Sequence, residues 1–222
     1  MCCPPSVLCL SFRMTNDRGK IVREACVENL KDAKAAWEHG ASRIELCRNL
    51  SFGGTTPLYK TISDCSNNLP VPVFVMIRPR GGDFVYSAEE IEIMKADIQR
   101  CRELGVPGIV LGILTTENKI DIERTCQLVE FAAPMQVTFH KAFDKAPDYR
   151  QALEDVIATG AARILTSGGK TTAAEGIGIL NEIIEQAAGR IKIVAAGKIT
   201  SENIGELSLK INTYEFHGRK IV

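Results

Sequence analysis

Gly40-Ala-Ser-Arg-Ile-Glu-Leu46, Gly105-Val-Pro-Gly-Ile-Val-Leu111 and Gly160-Ala-Ala-Arg-Ile-Leu-Thr166 are one junction written three times. In each, a glycine closes an amphipathic stretch and a short apolar run starts a few residues later. Glycine takes the left-handed conformation that ends a helix without a steric penalty. The run that follows is apolar throughout, as a strand covered on both faces must be. Helix, glycine and strand repeated in this order make a parallel sheet with right-handed crossovers.

Outward from these junctions the same kind of run recurs. The predicted strands are Ile21–Val27, Arg43–Cys47, Val71–Ile77, Gly108–Leu111, Met135–His140, Arg163–Thr166, Ile191–Ala195 and Thr213–His217. The stretches between them read as helices. Ser87-Ala-Glu-Glu90 is a capping box, and Ile91, Met94, Ile98, Cys101 and Leu104 then recur at helical spacing. Eight such strands in one domain's length predict an α/β fold of TIM type, a closed (β/α)8 barrel. An open, doubly wound sheet is the alternative, but its glycine fingerprint is missing: Gly176-Ile-Gly178 lies in a helical pattern, not at a strand end.

The 222 residues suit a single domain, expected at 21–222 behind a disordered leader at 1–20. With 27 basic and 27 acidic side chains the formal net charge is zero, and no basic stripe offers itself to nucleic acid. No apolar run approaches the ~18 residues of a membrane span. The opening residues lack the basic flank and cleavage site of a signal peptide. The 8 cysteines are irregularly spaced with no C-x-x-C, which reads as reduced thiols in a cytoplasmic protein.

In a parallel barrel, chemistry gathers just beyond the strand C-termini. There the sequence places Glu24 and Cys26, Glu45 and Cys47, Arg78-Pro-Arg80-Gly-Gly-Asp83, His140 with Asp144, Thr166-Ser-Gly168-Gly-Lys170, Gly197-Lys198 and His217. Residues two apart share a strand face, so Glu24 goes with Cys26 and Glu45 with Cys47. On neighbouring strands ~4.8 Å apart the two thiols approach one soft ion, or each is simply a packed core thiol. Arg78 and Arg80 read as a clamp for a carboxylate or phosphate, or as ion-pair partners of Glu24 and Glu45. His140 is a candidate acid/base with Asp144 as its orienting partner, and His217 is a weaker candidate. Gly168 and Gly197 suggest a loose anion site of loop amides. Gly169-Lys170-Thr171 is no P-loop, because the required earlier glycine falls at Ile164, within a strand.

Ile44-Glu-Leu-Cys47, Gly53-Gly-Thr-Thr-Pro57, Ile77-Arg-Pro-Arg-Gly-Gly-Asp-Phe84, Val137-Thr-Phe-His140, Ala142-Phe-Asp144 and Arg163-Ile-Leu-Thr-Ser-Gly168 together resemble the CutC family of copper-homeostasis proteins. The resemblance spans about Ile21 to His217. It implies a TIM-type barrel, a cytoplasmic setting, homo-oligomers, and a role in copper tolerance and trafficking. It also implies Cu(I) ligands on the first two strands, which fall here on Cys26 and Cys47. Two departures stand out. Ala196-Gly197-Lys198 replaces a glycine pair or triplet after strand seven, and Gly218-Arg219 replaces the small residues that lead to a final helix. The expectation is a barrel lacking that last helix. A copper-homeostasis protein is therefore the first functional reading. A barrel enzyme acting on a small anionic metabolite through Arg78, His140 and the glutamates is the second.

Overall fold

The computed structural model describes residues 20–222, so the expected leader lies outside the described residues save for Lys20. Eight parallel strands close into a barrel in chain order, β1 pairing with β8. They are β1 (Val22–Val27), β2 (Arg43–Leu46), β3 (Val73–Met76), β4 (Gly108–Leu111), β5 (Gln136–Phe139), β6 (Arg163–Thr166), β7 (Lys192–Ala195) and β8 (Glu215–Gly218). The helices are α1 (Leu30–Glu38), α2 (Tyr59–Asn68), α3 (Ala88–Glu103), α4 (Ile122–Ala132), α5 (Tyr149–Ala158), α6 (Ile177–Ala187) and α7 (Ile204–Lys210).

The repeated junction behaves as its chemistry requires. Gly40, Gly105 and Gly160 have φ of +101°, +67° and +78°, and each follows a helix and precedes β2, β4 or β6. The capping box forms at α3, with Ser87 and Glu90 each satisfying the other's backbone amide. Ile91, Met94, Ile98 and Cys101 then turn inward against the barrel. Beyond β8 the described residues run Arg219–Val222 without a helix; Lys220 bridges Thr200 and Ile221 is buried.

Strand register decides which side chains enter the barrel. In parallel pairs, residues in register point the same way. Cys26 pairs with Glu45, Glu45 with Phe74, Phe74 with Gly108, and Gly108 with Gln136. Thr138 pairs with Arg163, Val194 with Glu215, and Glu24 with His217. Stepping by two along each strand gives one inward set, and the alternate residues, such as Ile44 and Leu46, pack beneath the helices.

At the N-terminal end this inward set is charged. Arg43 bonds Glu24 and lies 2.6 Å from Glu215, and Arg163 reaches Glu215 at 3.1 Å. Both guanidinium groups sit 5.2 Å from the Phe74 ring centre. A Cβ on Gly108 would lie 2.5 Å from that ring, so glycine on β4 is what admits Phe74. Buried charges persist only when paired, and removing one partner typically costs about 3–5 kcal/mol. Arg43→Leu should lower unfolding stability by about that amount, read from urea denaturation.

Candidate functional site

The C-terminal ends of the strands open into a cavity of about 680 Å³. Cys26, Glu45, Cys47, Arg78, His140 and His217 all line it. The Cys26 and Cys47 sulfurs are 3.7 Å apart, and the Cys47 sulfur is 3.5 Å from Glu45 Oε2. Their proximity follows from the register: Cys26 pairs with Glu45, so Cys47 stands one inward step further out on the neighbouring strand. Donor atoms of Cys26, Glu45 and Cys47 lie within 4.8 Å of one another, as do those of Glu24, Glu45 and His217.

The two glutamates occupy different environments. Glu24 is fully buried beneath the cavity and does not line it. Burial works to raise its pKa, but Arg43 and His217 outweigh that and hold it at about 2. His217 Nδ1 is 2.8 Å from Glu24 Oε1, and its Nε2 is 3.7 Å from Glu45 Oε2. Burial and the nearby Cys26 charge push Glu45 well above the usual carboxylate range, against the pull of His217. His217 is raised in turn, because Glu45, Cys26 and Glu24 overcome its desolvation.

The thiols divide likewise. The hydrogen bond from Cys47 draws Cys26 well below an ordinary thiol against the cost of burial, with His217 assisting. That same bond, burial and Glu45 push Cys47 upward. The two thiols are thus shifted in opposite directions, Cys26 toward the thiolate and Cys47 away from it. A thiolate is the form that binds soft metals or attacks electrophiles.

The structure moves several expected partners. Arg78 pairs with neither Glu24 nor Glu45. Its guanidinium donates to the carbonyls of Gly53, Gly54 and Gly82 at 3.2, 3.0 and 2.7 Å, which ties together the loops after β2 and β3. Arg80 is not in the cavity; it turns to Glu90 at 2.5 Å and Asp83 at 2.9 Å.

Asp144 does not orient His140. The imidazole ends β5 and caps the 3₁₀ turn Lys141–Lys145, its Nδ1 accepting from the Ala142 amide at 3.2 Å. Asp144 instead faces β6, where it accepts from Thr166 Oγ1, from Ser167 N at 3.1 Å and from Gly169 N at 3.0 Å. Lys141 lies 3.1 Å from the same carboxylate. The expected anion site at Gly168 is therefore filled from within: the Gly168 amide donates to Thr166 Oγ1 at 2.9 Å, and Asp144 takes its neighbours. Gly197 serves packing, since a Cβ there would come within 2.9 Å of Ala173 N and Ser167 Cβ.

His217 is the group that the sequence undervalued. Its importance comes from barrel closure, which sets it beside Glu24. Gly112 was also missed. A Cβ at this position would meet His140 Nδ1 at 2.5 Å, so a second glycine four residues after Gly108 makes room for the imidazole.

The fold and the site define a closed (β/α)8 barrel with a thiol, carboxylate and imidazole cluster at its mouth. The chain belongs to the CutC family, whose profile matches residues 21–222. It is 45% identical over 196 residues to the family protein CutC of Chromobacterium violaceum, covering 88% of this chain and 79% of that one. It is also 45% identical over 194 residues to the human copper homeostasis protein cutC homolog, covering 87% and 71% respectively. The crystal structure of CutC from Streptococcus agalactiae superposes with a TM-score of 0.87 at 39% identity, over 91% of this chain and 100% of that one. Among the described residues no helix is long and apolar enough to cross a membrane.

His140 gives the site a pH signature. Burial and the Arg78 charge lower its pKa from 6.5 to about 3. As pH falls the unfolded chain takes up this proton first, so stability present above pH ~6.5 is lost progressively down to pH ~3. His140→Gln should remove about 2 kcal/mol of the stability loss between pH 7 and pH 5, measured from urea denaturation at both values.

Proposed function

We propose that this protein is a copper-homeostasis protein that binds Cu(I) through Cys26 and Cys47 at the barrel mouth. The observation that carries the reading is the pair of buried sulfurs 3.7 Å apart on the cavity wall. Two thiolate-type donors favour a soft monovalent ion over the hard cations that seek oxygen. With metal–sulfur bonds of about 2.3 Å, that spacing corresponds to a sulfur–metal–sulfur angle of roughly 107°. Such an angle suits an ion with a third donor better than a linear pair. Glu45 stands within reach of both sulfurs and supplies one.

The surroundings suit a reversible ligand set. Cys26 is biased toward the thiolate, the form that binds metal, and metal binding releases any thiol proton that remains. His217 and Glu24 below them fix the charge around the sulfurs, as outer partners do in metal sites. All five cysteines among the described residues are free thiols, which suits a reducing cytoplasmic setting. The family membership and the name of the human relative support copper as the cargo.

The test is a competition titration of the reduced protein against a chromophoric Cu(I) chelator. Wild type should take up Cu(I) stoichiometrically, and Cys26→Ser/Cys47→Ser should lose that uptake. His217→Gln should weaken it by roughly 10–100-fold, the usual effect of removing a supporting group. Unchanged affinity in the double variant would remove both cysteines as ligands.

A further inference from the structure

The cavity has a second wall that the thiol site does not use. On it lie Arg78 and His140, each only 4% exposed. Both pack on Phe84, whose ring is 4.7 Å from the Arg78 guanidinium carbon and 4.9 Å from the His140 ring centre. Arg78 Nε and His140 Nε2 are buried nitrogens without a hydrogen-bond partner. An unmade hydrogen bond on a buried donor is costly, and both residues line the cavity, where an entering acceptor would relieve that cost.

The tautomer of His140 follows from geometry. The Ala142 N–H points at Nδ1, so Nδ1 carries no proton and the ring proton resides on Nε2. His140 is therefore a neutral donor through Nε2. The lowered pKa of the ring agrees with this. Beside it, Arg78 makes no ion pair among the described residues; its terminal nitrogens meet only backbone carbonyls. A buried guanidinium without a counter-ion needs a negative partner.

We infer that the cavity binds a small organic carboxylate, with its charged end at Arg78 and His140 and its apolar body against Met76, Phe84 and Leu165. One unpaired buried cation matches a monoanion, whereas a dianion would bring surplus charge into the same space. The loop amides after β6 already hold the Asp144 carboxylate and so offer no free anion site there. A cavity of about 680 Å³ lies in the range that encloses a metabolite, well beyond what an inorganic anion fills. At the rim, exposed Lys198 lines the entrance and forms no ion pair among the described residues, so it attracts anions inward. The inference stands apart from the copper reading, because it uses neither thiol.

The test uses the full chain labelled with ¹⁵N-histidine, titrated with isovalerate, phenylacetate and inorganic sulfate. The free protein should show His140 as the Nε2–H tautomer. Isovalerate or phenylacetate should shift that resonance saturably, with sulfate at least about tenfold weaker. His140→Phe keeps a ring and removes the donor, and should weaken carboxylate binding about tenfold or more. Lys198→Glu, on the exposed rim, should weaken it several-fold without disturbing the fold, which circular dichroism monitors. An Nδ1–H tautomer, sulfate binding equal to that of the carboxylates, absence of saturable binding, or affinity unchanged in both variants would each overturn the assignment.

Discussion

Glu24 is a fully buried carboxylate at the centre of a closed barrel, and much of the mouth depends on how its charge is met. Water cannot reach it, so compensation comes from the strands on either side: Arg43 on β2 and His217 on β8. These two contacts join the first strand to its successor and to the last strand, so neutralising one charge also closes the barrel. They also orient the imidazole. With Nδ1 engaged by Glu24, His217 turns its other nitrogen toward Glu45. His217 also lends its charge to the Cys26 thiol above, beside the larger effect of Cys47.

The mouth divides into two walls of different chemistry. One, from β1, β2 and β8, carries sulfur and brings Cys26, Cys47, Glu45 and His217 into contact. The other, from β3 and β5, presents a fixed cation and a neutral donor, both held by backbone groups and not by side chains whose charge varies. The two walls are therefore held by different groups. Met76 packs with the thiols and Phe84 with Arg78 and His140.

The strands were legible because a buried parallel strand is a short apolar run, and the helix ends because glycine and a capping box leave local marks. The approach of Cys26 to Cys47 was legible for a similar reason: period two and strand adjacency suffice to place it. What escaped depends on register and closure. Nothing near His217 in the chain indicates that β8 returns beside Glu24, and nothing near Arg43 indicates Glu215, 172 residues away. Asp144 misled because four residues after His140 suggests one helical turn. His140 instead still belongs to the strand end, with its ring directed inward, while the following 3₁₀ turn delivers Asp144 to β6. The charged floor of Arg43, Arg163 and Glu215 was missed because these residues lie at the strands' N-terminal ends, where only register shows that they face one another.

The glycines at the start of β4 and just past its end have an architectural consequence. Every other strand contributes, at its end or in the residues just after, a group to the cavity lining; among the described residues β4 contributes none. Phe74 and His140 lean from either side into the spaces that Gly108 and Gly112 leave open. Eight strands enclose the barrel, but its open volume is bordered by groups from seven. An entering molecule meets no rotational equivalence. Sulfur, guanidinium and imidazole follow one another in a fixed order around the rim.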